Sequence, residues 1–188
     1  WTKISSSNFS ARLQPKGFLF NDASANAFTD NETYRINLLG YLNSKLPSVF
    51  LKSLNPTLNF LSGNISTLPV LKELINSKIV YDSTYSLISI SKYDWNSYET
   101  SWDFTQNPML RTQQPNLEQA FITWQQQNAN AVAEMKRLEE ENNKLFIDAY
   151  GLQDELTPDV PDAQITLTRA DREKDSQRLV SYALGCMM

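Results

Sequence analysis

Histidine is missing from all 188 residues, and cysteine occurs once, at Cys186. Without imidazole, Ser-His-Asp and Cys-His nucleophilic sites are excluded, as are histidine metal sites. A single thiol excludes an internal disulfide and any multi-cysteine metal site. Glycine is scarce too: the five glycines are scattered, and neither nucleotide-binding fingerprint fits them. No stretch of eighteen apolar residues exists, so no transmembrane helix and no membrane partner are expected. The opening run Trp1-Thr2-Lys3-Ile4-Ser5 lacks the apolar core of a secretory signal. The expected setting is cytoplasmic, and only carboxylates, lysine, tyrosine and serine remain for chemistry.

What is present suits a folded chain. Hydrophobic residues at 41% can bury a core, and 20% charged residues do not read as disorder. The length fits one ordinary domain or two small ones. Charge is unevenly spread: residues 1–60 carry six Lys/Arg against three Asp/Glu, and residues 116–160 carry three against nine. Affinity for DNA comes largely from neutralising phosphates, so the first third is the part suited to it. Lys3, Arg12 and Lys16 are the candidate phosphate contacts, with ordinary surface charge as the plain alternative. The last apolar positions, Val180, Ala183, Leu184 and Met187, are still in helical register where the sequence stops, and no Met opens it. An excised fragment is the expectation.

Apolar periodicity predicts a mostly helical chain with a small α+β element. Gly17-Phe18-Leu19-Phe20 and Leu58–Leu61 read as short strands, the latter entering a turn at Ser62-Gly63-Asn64. Ile36, Leu39, Leu42 and Leu46 predict a helix from Thr33, with a new start or kink at Pro47. A further helix is expected from near Pro69 into residues 81–90, a shorter one over Ser91–Trp102, and a loop or linker at 107–115. Gln164–Leu167 reads as a strand, and Thr168 with Asp171 as the cap of a last helix. The expected division is 1–68, the small α+β element; 69–115, an aromatic-rich helical connector; 116–151, the long helix; and 152–188, an acidic linker with a C-terminal helix.

The most regular segment is 117–150. Leu117, Phe121, Trp124, Asn128, Ala131, Met135, Leu138, Asn142, Leu145 and Ala149 alternate steps of four and three, a heptad seam. Asn116 with Gln119 resembles a capping box, and Gly151 a stop. At ~1.5 Å per residue such a helix is roughly 50 Å long. Polar Asn128 and Asn142 on the seam cost stability but fix register, and Glu139, Glu140 and Glu141 should be largely solvated. Phe121, Trp124, Met135 and Leu138 are candidates for a partner-binding seam. The bulk of Phe121 and Trp124 favours packing within the chain.

Other chemistry is thinly supported. Glu134-Met135-Lys136 has the acid-x-Lys pattern of a nuclease, but Met135 falls on the helical seam. Nothing in the spacing of the acids selects a glycosidase pair. The cluster Tyr93, Trp95, Tyr98, Trp102 and Phe104 could stack bases. The interleaved Asp94, Glu99 and Asp103 would repel phosphates, so packing between the preceding helix and the long helix is preferred.

Several strings resemble the large adenine-specific DNA methyltransferases of BREX phage defence, the PglX family, and relatives among restriction-modification methylases. They are Trp1–Phe9, Arg12–Phe20, Leu42-Asn43-Ser44-Lys45, Leu54–Phe60, Gly63–Pro69, Asp94–Phe104, Phe146–Leu156 and Ser181–Met187, spread in order over the chain. The resemblance implies a parent enzyme that moves a methyl group from S-adenosylmethionine to adenine in duplex DNA, flipping the base out to reach it. The family's Asp/Asn-Pro-Pro-Tyr/Phe motif is absent, and Asn55-Pro56-Thr57-Leu58 is only an echo of it. The implied place is after the catalytic core, so no catalytic, cofactor-binding or metal-binding residue carries over. The expected role is a connecting, recognition-associated region without its own cofactor. The alternative is a module that docks another subunit of the defence complex through the long helix.

Overall fold

The computed structural model describes residues 1–5, 8–21 and 23–188. Among these residues the helices are α1 (Glu32–Asn43), α2 (Lys45–Leu54), α3 (Ser62–Ser66), α4 (Lys72–Ile75), α5 (Lys78–Trp95), α6 (Pro108–Arg111), α7 (Leu117–Ala149) and α8 (Arg172–Met187). The chain is mostly helical, as its periodicity predicts. None of these helices is long and apolar enough to cross a membrane. Two compact units form, each from two stretches of sequence: Trp1–Ser86 with Leu138–Asp159, and Leu87–Arg137 with Val160–Met188.

In the first unit, Asn31 starts α1 by accepting the Tyr34 amide at 2.9 Å on its side-chain oxygen. Ser44 then takes extended backbone angles, which ends α1 and opens α2. Pro47 sits in the first turn of α2, where its missing N–H leaves no helical bond unmade. Tyr41, Leu42, Leu46, Leu51, Val80, Phe146 and Ile147 form the core. Tyr41 and Tyr150 lie nearly parallel, and both hydroxyls donate to the Pro69 carbonyl, at 2.7 and 2.6 Å. The Asn37 amide donates to the carbonyls of Leu74, Ile75 and Ser77 at 3.3, 3.0 and 2.8 Å. That buried amide takes carbonyls a continuing helix would use, so the expected single helix is broken between α4 and α5. Asn142 donates to the Gly40 carbonyl at 2.9 Å, and Asn143 accepts from the Lys45 amide at 3.0 Å while donating to the Pro158 carbonyl at 3.0 Å.

The second unit holds two apolar clusters. Met135 packs with Val160, Ile165 and Leu167, and Trp124 with Met109 and Ala120. Asn128 donates to the Thr168 carbonyl at 2.8 Å and accepts from the Ala170 amide at 2.9 Å. Asp171 caps α8 by accepting the Lys174 amide at 2.9 Å. Thr168, expected to share that cap, instead donates its amide and hydroxyl to Asp94. The buried Asp175 accepts from the Trp124 indole at 3.2 Å and pairs with Arg178 at 2.7 Å.

Several local expectations are corrected. Phe18–Phe20 is irregular and exposed, not a strand. The α+β element contains, among the described residues, only two isolated bridges, Thr2 with Ser24 and Ile4 with Asn59. Ser62-Gly63-Asn64 opens α3 instead of turning, and of the strand expected at 164–167, Gln164 ends a 3-10 turn (Asp162–Gln164) and residues 165–167 follow as irregular chain. Beyond Trp95 the expected short helix gives way to turns, while one helical turn, α6, forms in the expected linker. Of the aromatic cluster, Trp102 is fully exposed and Tyr93 and Trp95 are more than half exposed. Phe104 and Tyr98 meet α8: Phe104 packs edge-on to Tyr182, and Arg178 lies over the Tyr98 ring, while Tyr93 shares a small cavity with Trp124 and Asn128 of α7. Glu139 is half-buried instead of solvated.

Candidate nucleic-acid interface

The basic first third is built around a frame made by its own ends. Trp1 donates its indole N–H to the Phe60 carbonyl at 3.0 Å, and its ring lies 6.1 Å from that of the buried Phe9. The Phe60 amide donates to the Lys3 carbonyl, and the Ser5 amide to that of Leu58. On the other side the Lys3 amide donates to the Ala23 carbonyl at 3.3 Å, and the Ala25 amide to Trp1 at 3.1 Å. Asn43, from α1, holds Ala11 both ways, accepting its amide at 2.9 Å and donating to its carbonyl at 3.0 Å. Residues 12–21 run between these two anchored feet. Arg12 and Lys16 are exposed on that loop, and Lys3 is half-buried in the frame.

The long-helix candidates sit differently. Trp124, Met135 and Leu138 are buried, and Phe121 is partly buried against the Met109 and Trp124 cluster. The Glu134-Met135-Lys136 tripeptide is dispersed: Glu134 pairs with Arg137 at 2.6 Å, which keeps its carboxyl below the usual range, and Lys136 reaches Asp162 at 2.7 Å. Among the described residues no group of three or more His, Cys, Asp or Glu is gathered to hold a metal.

No family model matches the chain. Among curated proteins, the adenine-specific methyltransferase PglX of Lacticaseibacillus casei is 41% identical over 192 residues, covering the whole chain. The adenine-specific methyltransferase BrxX of Escherichia coli O9:H4 is 28% identical over 205 residues, again covering the whole chain. The chain is related over its whole length to the PglX family of adenine-specific methyltransferases. It spans only 16–17% of the length of these two relatives.

The geometry of this PglX-related chain can be tested against S-adenosylmethionine. A cofactor of that size needs a cleft of roughly 300–1,000 Å³ with a few well-placed polar groups. The enclosed cavity beside Ile90, Tyr93, Trp124 and Leu167 has about 30 Å³, room for about one water molecule. A wider opening of about 270 Å³ is lined by Met109, Leu110, Pro115, Leu117, Ala120 and two amide side chains, with no carboxylate to hold a ribose. These residues do not fit the cofactor. Sequence reasoning missed the exposed aromatic run at 18–20 of the PglX-related chain, since apolar side chains in a row carry the signal of a buried strand.

Proposed function

We propose that this chain is a non-catalytic connecting and DNA-recognition-associated region of a site-specific adenine DNA methyltransferase, acting in phage defence or restriction-modification in the cytoplasm. The observation that carries the reading is the 41% identity with PglX over the whole chain, confined to a sixth of that protein's length. In this reading the rest of the longer polypeptide binds S-adenosylmethionine and performs methyl transfer. The missing Asp/Asn-Pro-Pro-Tyr/Phe motif and the missing glycine-rich cofactor motif support that division. The part this chain plays is to hold the anchored, basic N-terminal loop on a helical frame. Docking of another defence subunit through α7 is the weaker reading, because Trp124, Met135 and Leu138 are already covered by the chain's own residues.

Two assays test the division of labour. Incubated with adenine-containing duplex and labelled S-adenosylmethionine, the chain alone should transfer no label. Substituted for the matching segment of the Lacticaseibacillus casei PglX, it should leave adenine methylation in place. Labelling by the chain alone, or a folded chimera that no longer methylates, ends the reading.

A further inference from the structure

The first unit exposes several apolar side chains singly, Ile4, Leu54, Leu58 and Ile79 among them, but at 18–20 it exposes three in a row. Phe18, Leu19 and Phe20 are 62%, 99% and 62% exposed, and Phe28 is 76% exposed with its ring 5.3 Å from that of Phe20. Gly17, at φ +96°, supplies the left-handed turn that brings the run out, a conformation natural to glycine. The loop is not a loose end. Asn43 fixes it at Ala11, and the backbone of residues 1–3 fixes it at Ala23 and Ala25. An apolar patch held in water on an anchored loop marks a binding surface.

Its charge says which kind. The chain is net −4, yet no carboxylate precedes Asp22 in the sequence, while Lys3, Arg12 and Lys16 all do. Arg12 and Lys16 stand exposed on the same loop as the aromatic run. Exposed cations that precede an apolar run, in a stretch with no carboxylate before Asp22, complement a polyanion with an apolar interior. Duplex DNA is one: proteins kink it by inserting apolar wedges between base steps while cations hold the phosphates.

We infer that the 12–21 loop is a DNA-contacting tip, in which Phe18, Leu19 and Phe20 press against or between base pairs while Arg12 and Lys16 bind the flanking phosphates. The inference rests on the methyltransferase reading for its choice of DNA and adds to it the residues that make the contact.

The test uses the whole 188-residue chain and a duplex carrying 2-aminopurine, whose emission rises when its neighbours unstack. Binding should raise that emission, and Leu19→Ser should remove the rise. Phe18→Ser with Phe20→Ser should weaken binding about tenfold or more, as expected for lost contacts to base faces. Arg12→Glu with Lys16→Glu should reduce the slope of log affinity against log salt by about two. All these side chains are exposed, so the variants should melt with the parent protein. The inference is overturned if the chain fails to bind duplex, if Leu19→Ser binds and unstacks like the parent, or if vesicles containing phosphatidylserine bind through this loop while duplex does not. Its failure is separable from that of the methyltransferase reading. A chimera that methylates while the tip variants bind normally sinks only the tip, and tip-dependent binding with an inert chimera sinks only the parent assignment.

Discussion

Glu139 is half-buried on α7. Burial first, and the neighbouring Glu140 second, push its carboxyl up to about 7. An ordinary glutamate ionises near 4.3, so the folded chain favours the protonated form. By linkage, the stability this group contributes is complete below the unfolded value and is lost as pH rises through about 7. Glu134 and Asp162 act in the other direction, since cationic partners lower both carboxyls, and their contribution is lost only in more acidic solution. Thermal melts between pH 5 and pH 8 should therefore show Tm falling with rising pH in the parent protein. The fall should be smaller in Glu139→Gln, which keeps the shape of the protonated acid. Equal slopes in the two proteins would remove Glu139 as the cause. Heptad position places this residue beside the seam but cannot report its burial, which depends on chain brought in from elsewhere.

Helix packing carries information that local pattern lacks. The limits of α7 were legible because both are written in local chemistry. Asn116 accepts the Gln119 amide at 2.9 Å, and Gly151 closes the end at φ +67° with the paired bonds Leu152 to Ile147 and Gly151 to Asp148. The function of its polar seam positions was not. Asn128 and Asn142 serve backbone groups of residues far away in sequence, which no local window contains. The expected strand at 164–167 failed for the same reason: β-branched residues suit an extended chain, but the adjoining backbone at Thr168 and Ala170 bonds to a helix side chain. Gly40 is a further case. Inside a helix glycine costs about 1 kcal/mol relative to alanine, so sequence alone recommends Gly40→Ala. In the fold a Cβ there would overlap the Thr84 hydroxyl and lie 3.4 Å from the Asn142 side-chain oxygen. Thr84 is buried and β-branched, so its side chain has few rotamers in which the hydroxyl can move away. Overpacking of this kind costs about 1–3 kcal/mol and outweighs the propensity gain. Gly40→Ala should lower the denaturant midpoint in the parent protein and cost much less in a Thr84→Ala background. A cost unchanged by Thr84→Ala would place the strain elsewhere.

At the scale of the whole chain, neither compact unit is a continuous stretch of sequence, and this decides how the molecule can be cut. Residues 1–86 contain most of the first unit, including α1, α2 and the anchored loop, and look like a separable piece. They lack what α7 supplies. Phe146 and Ile147 are almost wholly buried in the core with Tyr41 and Leu46, Asn142 satisfies the Gly40 carbonyl, and Asn143 holds the start of α2. Truncating a buried Phe costs about 3–5 kcal/mol and a buried Ile about 2–5. Losing both, with the two asparagine contacts, removes an amount comparable with the roughly 5–15 kcal/mol that holds a typical domain. A chain ended after Arg137 should therefore lose slow hydrogen exchange throughout α1 and α2, although every residue of both helices is still present. A chain ended after Asp159 keeps Phe146, Ile147 and the Pro158 carbonyl that Asn143 needs. It should retain protection in α1 even though Val160, Ile165, Leu167 and all of α8 are gone. Protected α1 amides in the shorter chain would mean that the first unit folds without residues 138–159, and that the last third of α7 is dispensable to the frame carrying the loop.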